Sequence, residues 1–121
     1  MIEVIQGFPG HVTAFRATGK VTKDDYYNVI NPYVKNVVTS FGKINYLLVL
    51  NTELKNYSIG AWIEDGLLGF RYFSKWKKFA LITEKDSIKK FTNTFGIFLP
   101  CPTKGFKMEE YSMAKEWISD L

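Results

Sequence analysis

A chain of 121 residues holds enough material for one hydrophobic core and not for two, which excludes a multidomain enzyme. Hydrophobic residues make up 46%, aromatic residues 17% and charged residues 23%, a globular composition that excludes intrinsic disorder. The net charge of +4 falls short of the density of dedicated nucleic-acid binders, so no nucleic-acid partner is expected, although Arg71 to Lys107 concentrates nine basic residues against two acidic ones.

From the amino terminus, Ile2 to Gln6 and His11 to Thr18 are short segments rich in Val, Ile, Phe and Thr. The Pro-Gly pair of Gly7-Phe8-Pro9-Gly10 between them predicts an antiparallel hairpin. Thr22 then opens a first helix as its N-cap, with Asp25 completing a capping box and Val21 and Tyr26 placed as a hydrophobic staple. Tyr26, Val29, Ile30, Tyr33, Val34, Val37 and Phe41 form one apolar stripe, and Gly42 suits a left-handed C-terminal cap. Pro32 lies inside this stripe, so the helix is expected to kink near Asn28 to Asn31 or to restart with Asn31 as a second cap.

Ile44 to Leu50 is almost continuously apolar, the pattern of a strand in mid-sheet covered on both faces. After the polar loop Asn51 to Tyr57, Ser58 caps a second helix running to Phe73, with Ile59, Trp62, Ile63, Leu67 and Phe70 read as its inward face. Gly60, Gly66 and Gly69 inside it point to close backbone packing or to a mobile element. Trp76 to Thr83 is a further buried strand. A third helix follows with Ile88, Phe91 and Phe95, then a short strand at Lys104 to Lys107 with Phe106 inward. Glu109 to Leu121 closes the chain as a helix with Ala114, Trp117, Ile118 and Leu121 on its face. The whole is an α/β fold: a single domain, 1–121, with a mixed five-stranded sheet, an N-terminal antiparallel hairpin and four helices.

Catalytic constellations are scarce. One His and one Cys, ninety residues apart, exclude an intrachain His/Cys metal set, and no Gly-rich phosphate loop is present. His11 is placed on the exposed side of the hairpin and Cys101, between two prolines, is an inert thiol. Of the paired acids, Asp24-Asp25 and Glu109-Glu110 suit helix starts, while Glu64-Asp65 is assigned to a solvated helix face. No cofactor and no metal are expected, and the chain is read as a non-enzyme. The single Cys and the lack of any apolar run near the roughly 20 residues of a membrane helix favour a cytoplasmic setting without a membrane span.

The strings Val12-Thr13-Ala14-Phe15-Arg16-Ala17-Thr18-Gly19-Lys20-Val21-Thr22, Asp25-Tyr26 opening a proline-bearing helix, Ala61-Trp62-x-Glu64-Asp65 and Ala114-x-x-Trp117 resemble the SpoIIAA-like branch of the STAS-like, anti-sigma-factor antagonist group. That resemblance spans the chain and implies a small non-catalytic, regulatory module that binds a protein partner. It further implies a partner surface around the loop and helix led by Ser58, which occupies the place of the serine that a partner kinase phosphorylates in classical members. Asn56-Tyr57-Ser58-Ile59-Gly60 departs from their Asp-x-Ser-Gly pattern, so Ser58 stands as phosphoacceptor or plain helix cap. Tyr57, Ile59, Gly60 and Trp62 flank it. The alternative is a carrier or sensor of an apolar, lipid-like ligand in a pocket beneath the second helix lined by Tyr26, Tyr33, Trp62, Phe70 and Phe73, set against plain core packing of the same rings. Lys75, Lys77, Lys78, Lys85, Lys89 and Lys90 offer a third option, contact with an anionic surface, set against ordinary solvation. Homodimerisation stays open.

Overall fold

The computed structural model describes residues 1–84 and 101–121. Five strands, β1 (Ile2–Val4), β2 (Val12–Thr18), β3 (Ile44–Asn51), β4 (Trp76–Ile82) and β5 (Thr103–Phe106), lie side by side in chain order. β1 runs antiparallel to β2, and each later neighbour pairs parallel. The expected hairpin and the mid-sheet position of the apolar run at Ile44 are therefore both present. β3 is buried from Ile44 to Leu50 because it has a strand on each side and a layer on each face.

The first helical unit, α1, has three stretches: one α turn at Lys23–Asp25, a π turn at Tyr26–Ile30 and an α-helix at Asn31–Phe41. Its start is held as the sequence indicates, with the Thr22 N–H donating to Asp25 Oδ2 at 2.8 Å. Asp25 Oδ1 also accepts from the Ile2 N–H at 3.2 Å, which ties the helix start to β1. The disturbance expected near Asn28 to Asn31 is present, but it is neither a clean break nor a second cap at Asn31, which makes no side-chain cap bond and lies within the following α stretch. Instead, the backbone widens by one residue, the Asn31 N–H donating back to Tyr26 O, and Pro32 falls in the first turn of the following α stretch. An i→i+5 turn absorbs a proline that would otherwise clash and leave a carbonyl unpaired. Gly42 ends α1 at φ 75°, the left-handed cap its residue type suggested.

Helix α2 (Ile59–Arg71) is followed by a 3₁₀ turn at Phe73–Lys75, and α3 (Tyr111–Ser119) is preceded by one at Met108–Glu110. Three helical units are thus present among the described residues. The helix expected around Ile88, Phe91 and Phe95 lies outside them. α1 and α2 share one face of the sheet over a core of Phe15, Val21, Tyr26, Ile30, Val34, Tyr46, Leu48 and Leu68. α3 covers the other face through Ala114 and Ile118 on Val12, Ala14, Leu47, Val49, Ala80 and Ile82. Phe106 points inward as expected. Leu121 does not join the α3 face, since the helix ends at Ser119 and leaves it in solvent.

His11 also departs from its expected exposed position. It is half-buried and its Nε2 donates to Ser119 O at 2.9 Å, capping the end of α3. Lys78 donates to Trp117 O and Asp120 O at 2.9 Å, and Lys77 to Leu121 O at 3.0 Å. Three side chains thereby serve the unpaired carbonyls at the negative end of one helix.

Candidate functional site

The segment led by Ser58 is fixed before the helix begins. Val21 and Tyr57 form an isolated parallel bridge, in which the Val21 N–H donates to Asn56 O at 3.0 Å and the Ser58 N–H to Val21 O at 2.8 Å. Ser58 then caps α2, its Oγ accepting from the Ala61 N–H at 3.0 Å. Gly60 sits where a Cβ would meet Lys23 Cβ at 3.1 Å, so the first turn of α2 rests directly on the start of α1. At Gly66 and Gly69 no such approach exists.

These anchors set the rotation of α2, and of the five residues read as its inward face only Trp62 keeps a half-buried place against the core, while the other four turn outward. Ile59, Ile63 and Phe70 are 80%, 58% and 81% exposed, Phe73 beyond the helix is 57% exposed, and Leu67 is exposed as well. The inward face is Ala61, Glu64, Asp65 and Leu68, with Glu64 only 6% exposed. Both sets repeat at helical spacing. The apolar set lost because α2 approaches α1 closely at its start, where small and polar residues fit, and because Tyr26 on α1 carries a hydroxyl that needs an acceptor.

That acceptor is Asp65. Tyr26 OH donates to Asp65 Oδ1 at 2.7 Å, joining the π turn of α1 to the middle of α2. The assignment of Glu64-Asp65 to a solvated face is therefore corrected: burial pushes the Asp65 carboxyl above the usual carboxylate range, and the Tyr26 bond offsets part of that rise. Burial also drives the phenols of Tyr26, Tyr46 and Tyr57 upward, and the nearby Asp65 charge adds to it in each case. Tyr57 stacks on Trp62 with centroids 5.0 Å apart, and Tyr46 stacks on Phe79 at 5.3 Å. Trp76 Nε1 donates to Gly69 O at 3.3 Å and holds the last turns of α2 on β4.

The five rings expected around one pocket are divided. Tyr26 is core, Tyr33 and Trp62 are half-buried against that core, and Phe70 and Phe73 stand in solvent. An open cleft of about 190 Å³ lies elsewhere, between Gly10 and the outer side of α1, lined by Gly10, Tyr33, Asn36, Val37, Ser40 and Phe41. It is below the roughly 300 Å³ at which ligand pockets begin. Of the site residues read from the sequence, Tyr57, Ser58, Ile59, Gly60 and Trp62 do come together at one end of α2. Asp65 was missed, and the signal for it was a tyrosine inside the α1 stripe, whose hydroxyl had to find a partner once buried.

Among the described residues the remaining reactive groups do not assemble. Cys101 packs against the α1–α2 core while His11 serves α3 on the other face, and burial pushes the Cys101 thiol up, away from thiolate. Among the described residues no group of three His, Cys, Asp or Glu side chains is placed to hold a metal ion. Among them, too, no helix is long and apolar enough to cross a membrane.

Among the described residues the architecture is that of a mixed-sheet α/β domain with two helical units on one face and one on the other. The SpoIIAA-like family model matches residues 12–119, and the chain belongs to that family. Among solved structures, an uncharacterized protein of the DUF3478 family with a SpoIIAA-like fold from Shewanella loihica PV-4 is similar with a TM-score of 0.73. The two are 23% identical, over 98% of this chain and 92% of that one, a likeness of fold. No curated protein matches the chain.

Proposed function

We propose that this chain is a non-catalytic, regulatory interaction domain that docks a protein partner on the Asn51 to Gly60 loop and the first turns of α2. One observation carries the reading: Ile59 and Ile63 project into solvent from a capped and bridged helix start, beside the half-buried Ser58 and the Tyr57–Trp62 stack. Membership of the SpoIIAA-like family supports the regulatory part. A protein contact uses such a patch well, because the backbone beneath is already ordered and little conformational entropy is lost on binding.

Ser58 is the natural control point. A phosphate on its Oγ would meet the free N–H groups at the start of α2 and would add about −1.5 to −2 of charge next to Ile59. Replacing Ile59 with a photo-crosslinking residue in the native cell traps a partner protein, and the same residue at Met113, exposed on α3, does not trap it. Ser58→Asp then changes the affinity for that partner by roughly tenfold while leaving the fold intact. Equal crosslinking from both positions overturns the docking surface. An unchanged affinity removes the switch and leaves the surface.

A further inference from the structure

The far end of α2 differs in chemistry from the end led by Ser58. Leu67, Phe70 and Phe73 are exposed there, interleaved with exposed Arg71 and Lys75. Lys43 joins them across space, its Nζ donating to Ser74 O at 3.3 Å. The two acids of α2 are both turned toward the core, so its exposed face and the turn after it carry no carboxylate. Among the described residues Lys43, Arg71 and Lys75 make no ion pair. Lys77 and Lys78, by contrast, are turned to the α3 layer and engaged with its carbonyls.

We infer that this corner docks on an anionic lipid bilayer, with Phe70 and Phe73 entering the headgroup–acyl boundary and Lys43, Arg71 and Lys75 meeting lipid phosphates. Two features favour a bilayer over the alternatives. Phe70 and Phe73 stand in solvent at the end of α2 and in the turn after it, and a deformable apolar phase accommodates such rings without a matching groove. A set of three cations with no acid beside it among the described residues complements anionic headgroups and opposes a second copy, which would bring the same three cations to the contact. Arg and Lys stems also lie along apolar surface while their charges reach the phosphates. The proposal concerns the end of α2 opposite Ser58 and stands or falls separately from the protein contact there.

Co-sedimentation with unilamellar vesicles tests it, comparing pure phosphatidylcholine with phosphatidylcholine carrying about 30 mol% phosphatidylserine. The chain binds the phosphatidylserine vesicles, less at high salt, and binds pure phosphatidylcholine at least tenfold more weakly, in line with headgroup electrostatics. Phe70→Ser with Phe73→Ser lowers the partition roughly tenfold. Each of Lys43→Gln, Arg71→Gln and Lys75→Gln lowers it about fivefold. Met113→Ser on the opposite layer leaves it unchanged. A fluorophore on Phe70→Cys, in a Cys101→Ser chain shown by circular dichroism to be folded, shifts to the blue on the phosphatidylserine vesicles alone. No binding, binding indifferent to these substitutions, or a concentration-dependent dimer abolished by Phe70→Ser would each overturn the proposal.

Discussion

α1 and α2 lie on the same face of one sheet, carry equally regular apolar stripes, and use them in opposite ways. α1 buries its stripe: Tyr26, Ile30, Val34 and Val37 are all core, and only Phe41 at its end escapes. α2 exposes four of its five stripe residues, Trp62 apart, and buries Ala61, Glu64 and Leu68 instead, with Asp65 half-buried beside them. A 3.6-residue period therefore establishes that a segment is helical, while the direction it faces is settled by its anchors and by the polar demands of its neighbours. For α2 those are the Ser58 cap, the contact of Gly60 with Lys23, and the hydroxyl of Tyr26.

The sharpest way to break this contrast is the Leu67–Leu68 pair. Leu68 is 2% exposed and Leu67 45% exposed. Leu68→Ala should therefore cost about 2–5 kcal/mol in urea unfolding. Leu67→Ala should fall within about 0.5 kcal/mol of the parent. Similar losses at both positions would mean that α2 is rotated from the placement described.

A smaller effect is expected at the bond between the two helices. Tyr26→Phe leaves the Asp65 carboxyl buried without its donor and should cost about 1–3 kcal/mol at neutral pH. Asp65 also has a signature in pH. Its folded-state proton affinity is raised by burial, so the folded protein holds a proton that the unfolded chain releases. The stabilising contribution of the neutral acid is therefore complete below the ordinary carboxylate range and is lost as pH rises through the higher folded value. Unfolding free energies from acid to neutral pH should show that decline in the parent relative to Asp65→Asn; a difference that grows with pH instead would contradict it. The buried phenols stay neutral throughout and leave the window to Asp65. The smallest of these effects is at the cap, where Ser58→Ala should cost about 1 kcal/mol by leaving the Ala61 N–H without its acceptor.

Much of the fold was legible in the residues. The apolar run of β3, the Thr22–Asp25 cap, the Pro-Gly hairpin turn and Gly42 each encode a local conformation with few alternatives, and each is found where it was expected. Pro32 was legible as a disturbance but not as a π turn, because breaking the helix and widening it by one residue relieve the same clash. The site was half legible. Ser58 announces itself as a cap by residue type and position, whereas the inward turn of Glu64 and Asp65 depends on Tyr26, distant in sequence, and hydropathy ranks Ile63 and Phe70 above both acids. His11 was misplaced for a similar reason, since its partner is a helix-end carbonyl 108 residues away.

Thiol accessibility at two adjacent positions of α2 tests the central claim most directly. Ile63→Cys and Glu64→Cys, each in a Cys101→Ser background, are exposed to a maleimide under native conditions and in denaturant. The account predicts fast native labelling at position 63 and protection at position 64 until the chain unfolds. Protection at 63 with fast labelling at 64 would show that the hydrophobic stripe faces the core, and the contact surface described for α2 would not exist.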